Sequence, residues 1–199
     1  MVRDLRSIRV GDLLDDLAAS DPAPGSGAVA ALVVAASASL LAGAARASRP
    51  AWPEAGGVVA QAALLRTRAI ELAEEVADAY ARALAVLEAP AGESGEERDS
   101  SIAQALSHAA NLPLEISKAA GDAAALGVLI SERGDPATHG DATAAALLAA
   151  GAARAAASLV QINLTAMPGD PRIQRANQLA EDAGYAARRT LDPGSEALH

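Results

Sequence analysis

Two stretches of this chain hold the residue types that chemistry needs. The first, Pro22-Ala23-Pro24-Gly25-Ser26-Gly27, stands directly ahead of a long uncharged run. A helix opening from such a loop points backbone N–H groups and the positive end of its dipole at whatever sits there, which suits an anion or a carbonyl. The same composition also serves as a tight interhelical connection. The second stretch, Gly134-Asp135-Pro136-Ala137-Thr138-His139-Gly140-Asp141, gathers an imidazole and two carboxylates ahead of another apolar run. A carboxylate beside an imidazole at a helix start can orient or exchange a proton on a bound substrate, so Asp141 and His139 are the candidate catalytic pair. Asp141 is equally well placed to cap that helix.

Other polar residues are less pointed. His108 and Asn111 lie three apart, next to Pro113, as a polar patch or as satisfied structural groups. No HExxH or comparable ligand spacing occurs, which predicts no metal, and neither a G-x-S-x-G elbow nor a Walker loop is present. Arg46, Arg49 and Arg66 are the cations available for a local positive patch, or are solvated surface charges.

The elements that must position these residues read as helices. Val10, Leu13, Leu14 and Leu17 recur at helical spacing over residues 10–19, and Asp21-Pro22 stops them. A second helix over residues 27–47 sets Gly27, Ala31, Ala35, Ser39 and Gly43 four apart, a ridge for close helix packing or for a subunit seam. After Pro50 and Pro53, an amphipathic helix spans residues 58–87, with Leu64, Leu65, Leu72, Val76, Leu84 and Leu87 as its apolar stripe. Residues 96–131 are helical by composition but kinked or split by Pro113. A fifth helix over residues 141–165 is apolar nearly all round and so central, and a more polar one runs to about residue 191.

Composition bounds the rest. With 199 residues, 51% hydrophobic, the chain encloses one core, and one domain over residues 1–199 is expected. Alanine abounds, Phe is absent, and only Trp52, Tyr80 and Tyr185 carry aromatic rings, which favours helix over sheet. The expected architecture is an all-α, up-and-down bundle of five to seven helices. A net charge of −9 argues against nucleic acid. Absence of Cys fits a reducing compartment. Residues 28–45 are uncharged and long enough for a membrane span, but they are rich in Ala and Ser and preceded by Asp12, Asp15, Asp16 and Asp21. A cytoplasmic protein without membrane association is expected.

Three segments together resemble the formiminotetrahydrofolate cyclodeaminase and methenyltetrahydrofolate cyclohydrolase family. The run from Leu14 through Pro24-Gly25-Ser26-Gly27 to Leu32 is similar to the family's LASxxPTPGGGSVAAL, and Asn111-Leu112-Pro113-Leu114-Glu115-Ile116 is similar to EVPLEV. Gly134-Asp135-Pro136 through Gly140-Asp141 to Ile162-Asn163-Leu164 is similar to GNPNVxSD followed by a helix ending in NVxINL. The resemblance covers about residues 10–190 and implies an all-α homodimer with folate in a groove near the subunit interface. It implies chemistry on the one-carbon unit bridging N5 and N10 of tetrahydrofolate, with no redox cofactor or metal. Pro24, Gly25, Ser26, Gly27, Arg46 and Asn163 are then the candidate substrate-binding residues.

The departures from the family pattern fall on polar positions. Its GGGS loop is here Gly25-Ser26-Gly27-Ala28, and its Lys-rich segment after the second helix is Arg49-Pro50-Ala51-Trp52-Pro53-Glu54. The acid of the family's long helix falls on Val76, and the first Asn of NVxIN falls on Leu159. A non-catalytic helical dimer with the same shell, or a plain interaction scaffold, is the alternative to a folate enzyme. The central expectation is that the glycine-bearing turn and Asp141 converge on one cavity.

Overall fold

A computed structural model describes residues 7–19, 25–88, 100, 102, 104–107 and 109–191. Among these residues there are six named α-helices and no strand: α1 (Val10–Ala18), α2 (Ser26–Ser48), α3 (Ala55–Glu88), α4 (Asn111–Arg133), α5 (His139–Asn163) and α6 (Pro171–Arg189). The all-α bundle expected from composition is therefore the observed class.

Because most core side chains are methyl groups, stability requires helix backbones to approach closely. They do. A β-carbon on Gly127 of α4 would lie 2.8 Å from Ala146 Cβ and 3.2 Å from the Ala142 carbonyl oxygen of α5, so these two helices touch nearly backbone to backbone. Helix α5 is central, packing on α2, α4 and α6. Its inner side is a run of buried alanines from Ala142 through Ala157, ending at Val160.

Helices α2 and α5 run antiparallel. At one end Gly27 of α2 meets Leu159 near the close of α5, and at the other Ser48 Oγ lies 3.4 Å from Thr138 Oγ1, just before α5 begins. Gly134 sits in that second corner, where an added β-carbon would stand 2.9 Å from Ser48 Oγ.

Several sequence expectations shift. The ridge on α2 is not continuous: Gly27, Ala31 and Ala35 are buried, whereas Ser39 and Gly43 are exposed. Four residues turn a 3.6-residue helix by about 40° beyond a full circle, so four such steps carry the ridge to the other side. Leu64 is 72% exposed rather than part of the α3 stripe, because the buried line runs through Val58, Ala62, Ala69, Leu72 and Ala73. Of the two outcomes expected at Pro113, the split is the one found: Pro113 falls in the first turn of α4, where its missing N–H costs nothing, and marks a new helix.

Two helical stretches, Ser26–Ser48 and Pro136–Asn163, are long and apolar enough to cross a membrane by length and composition alone. They are packed elements of the bundle, with 61% and 44% of their most apolar windows buried. The second figure leaves much of α5 uncovered, including Leu147, Leu148 and Ile162.

Candidate functional site

The start of α2 is built as the loop composition requires. Gly25 takes the N-cap position in extended conformation and offers no side chain to the first-turn N–H groups, while Ser26 is exposed beside it. Pro24 lies outside the described residues. One residue on, Gly27 is buried against Val76 of α3 and Leu159 of α5: its missing β-carbon would be 2.7 Å from Val76 Cγ1 and 3.6 Å from Leu159 Cδ1. Asn163 follows Leu159 by one turn on the same side of α5 and is half-buried. Thus one end of the bundle collects Gly25, Ser26, Gly27, Val76, Leu159 and Asn163. Two of the positions where the sequence departs from the family pattern, Val76 and Leu159, meet Gly27 itself, and both are aliphatic.

Asp141 and His139 stand at the opposite end. Asp141 and Leu159 are separated by about 27 Å along α5 at a rise of ~1.5 Å per residue. The expected convergence of the glycine turn and Asp141 therefore does not occur within the chain. Nor is Asp141 the N-cap. The chain tightens into a 3-10 turn at Pro136–Thr138, opened by Asp135, whose carboxylate accepts the Ala137 N–H at 2.9 Å. The α-helix consequently begins two residues earlier than expected, with Thr138 at the cap position and Asp141 exposed in the first turn. There its charge complements the helix dipole.

His139 is flanked by two hydroxyl groups, one from α4 and one from its own helix. Ser131 Oγ of α4 is 3.1 Å from its Nδ1, and Thr143 Oγ1 is 3.5 Å from its Nε2. Thr143 donates its hydroxyl hydrogen to the Thr190 carbonyl at the end of α6, 3.2 Å away. That leaves an acceptor lone pair of Thr143 Oγ1 facing Nε2, while Ser131 Oγ faces Nδ1. Neither Ser131 nor Thr143 stood out in the sequence, since single hydroxyl residues in an Ala-rich helix carry no spacing signal.

The same end has a buried polar corner. Ser48 Oγ donates to the Ala44 carbonyl at 2.9 Å and accepts the Asp135 N–H at 2.8 Å. Trp52 is buried beside it, with the Arg133 guanidinium 5.7 Å from its ring centre, a cation–π contact. Arg46 and Arg49 are exposed at this end, and Arg66 is exposed on α3.

His108 lies outside the described residues, but its expected companion Asn111 belongs to a structural clip. Arg172, opening α6, donates to Asn111 Oδ1 at 2.8 Å, to the Ser107 carbonyl at 2.7 Å and to Ser107 Oγ at 2.9 Å. It also forms a fork with Asp170, at 2.9 and 2.7 Å. The guanidinium bonds, followed by the Arg172 N–H, hold the Asp170 carboxyl down at about 2. An open cleft of about 440 Å³ lies along α6, lined by Asp170, Ile173, Gln174, Asn177 and Glu181 among others. None of the candidate site residues lines it.

The chain aligns by structure with the crystal structure of formiminotetrahydrofolate cyclodeaminase from Thermotoga maritima at a TM-score of 0.83 and 20% identity, covering 98% of this chain and 100% of that one. That likeness shows a shared fold. No curated protein matches the sequence directly. The family model described as formiminotransferase-cyclodeaminase matches residues 9–182, nearly the whole bundle from α1 into α6. The glycine turn, the Pro113 boundary and the loop before α5 all lie inside that match, and the chain belongs to the formiminotransferase-cyclodeaminase family.

Proposed function

We propose that this protein is a cytoplasmic homodimer that binds a one-carbon derivative of tetrahydrofolate and acts on the bridge between N5 and N10. The family match over residues 9–182 is the observation that carries this reading. In the deaminase form of the reaction, N10 attacks the formimino carbon and ammonia leaves. In the hydrolase form, water opens the methenyl bridge to the formyl compound. Both depend on orientation and proton transfer.

In the proposed arrangement Gly25, Ser26 and Gly27 cradle the substrate with Asn163 beside them, while Asp141 and His139 serve proton transfer and Arg46 balances the anionic tail. One chain holds these two groups at opposite ends, so they can share a substrate only across a subunit boundary in which neighbouring bundles run in opposite directions. Uncovered apolar residues on α2 and α5, namely Leu40, Leu147, Leu148 and Ile162, support pairing through those helices.

A second reading is favoured by one contact. Val76 and Leu159 close on Gly27 as an aliphatic nest where the family pattern has an acid and an amide, and such a nest exchanges no proton. On this reading the protein binds folate without turning it over. The readings separate in one experiment, because methenyltetrahydrofolate loses an ultraviolet chromophore when its bridge opens. Accelerated loss supports the enzyme. Thermal stabilisation by folate without turnover supports the binder, and neither effect removes both.

A further inference from the structure

Helices α5 and α6 bring two guanidinium groups to one place. A β-carbon on Gly184 of α6 would lie 3.6 Å from Arg188 Nη1 and 3.8 Å from Nη2 of Arg154 on α5, so the two side chains face each other across the width of one residue. Both arginines are exposed, and among the described residues neither forms an ion pair or a hydrogen bond. Like charges held this close repel. Arg188 is in the last turn of α6, where the helix dipole favours a cation. Arg154 has no such reason to be there, since it lies in the middle of α5.

Gly184 is the second observation. A glycine inside a helix weakens it relative to alanine, and is needed only where the backbone or a close neighbour forbids a side chain. Neither condition holds at Gly184, which sits within regular helix α6 and has only the flexible ends of the two arginines near its missing β-carbon among the described residues. Its absent side chain leaves open ground between two cations. The acids one turn earlier do not fill it. Glu181 is exposed and pairs with neither arginine among the described residues, while Asp182 accepts the Gln178 amide at 2.8 Å. In a chain of net charge −9, these two positive charges are left without a counter-charge.

We infer that Arg154 and Arg188 form an oxyanion site over Gly184 for a small dianion, inorganic phosphate or a phosphomonoester. Two guanidinium forks present more N–H donors than one carboxylate takes up, and they match the spread oxygens of a tetrahedral oxyanion. Both arginines belong to one chain, so the site needs no second copy. It is also separate from the folate reading, because Arg154 stands half a turn round α5 from Asn163 and so faces away from the glycine turn.

Thermal melting of the full chain in sodium phosphate, against sodium chloride at equal ionic strength and pH, tests the site. Phosphate is expected to raise the melting temperature in a saturable way, and acetate to match chloride. Phenyl phosphate is titrated in parallel: an effect equal to that of phosphate assigns the site to monoesters as well, and a smaller one to the free ion. Arg154→Gln and Arg188→Gln are each expected to weaken phosphate binding roughly ten-fold or more. Gly184→Leu fills the ground between them and is expected to remove the phosphate effect while helix content is retained. A phosphate effect no larger than that of chloride, one shared equally by acetate, or one that survives in both arginine variants overturns the site. Folate binding and methenyl turnover are read in separate assays, so failure here leaves the folate reading standing.

Discussion

Val76 occupies the space that Gly27 leaves by having no side chain, with its Cγ1 2.7 Å from where a β-carbon would be. Gly27→Ala is therefore expected to cost about 1–3 kcal/mol, because the branched valine side chain has little freedom to withdraw. Adding Val76→Ala should restore most of that loss, since Val76 Cβ alone would lie at an ordinary 3.8 Å. Urea denaturation of the single and double variants measures the coupling; additive losses would mean that the two positions do not press on each other.

The same nest decides whether an acid is the missing part of the chemistry. Val76→Asp introduces a smaller side chain, so space is no obstacle, and it is expected to raise the rate of methenyl-bridge opening above that of the unaltered protein. Burying the carboxylate should lower stability by about 1–3 kcal/mol. A variant that loses stability and gains no rate would show that Val76 is not what limits turnover.

Asp141→Asn is expected to abolish turnover with helix content intact. Asp141 is in the first turn of α5 and not at its cap, so the substitution removes a charge–dipole interaction and leaves no cap bond broken. Circular dichroism and the chromophore assay on the same preparation check both halves. Persistent turnover would remove Asp141 from the mechanism.

Acid should loosen the clip between α6 and the start of α4. Asp170 has its carboxyl lowered from 3.8 to about 2 by Arg172, so its contribution is fully present above about pH 4 and fades as the pH falls toward 2. Asp170→Asn is expected to flatten this acidic limb of the stability profile and to leave the limb above pH 5 parallel to that of the parent. Melting temperatures across pH 2–7 test this; an unchanged acidic limb would show that other carboxylates dominate.

How far the sequence discloses this molecule depends on the kind of signal. Helix positions were legible because Ala-rich composition, Pro22, Pro113 and Pro168 act locally, within a few residues. The family was legible because the loops around Gly25 and Gly134 keep distinctive residue order. Long-range geometry was not. The distance between Gly27 and Asp141 depends on α2 and α5 running antiparallel, and nothing in either loop reports that. Asp141 was read as a cap because the tightening at Pro136–Thr138, which moves the start of α5 back to His139, comes from Asp135 closing onto Ala137. Ser131 and Thr143 escaped notice since they matter only once α4, α5 and α6 converge around His139.

Opposed placement of the glycine turn and Asp141 has a genetic consequence. If each reaction centre draws one half from either subunit, two chains that are separately inactive, one altered at Gly27 and the other at Asp141, will complement when mixed. In such a hybrid one centre inherits both lesions and the other inherits neither, so activity returns without any chain in the preparation being whole.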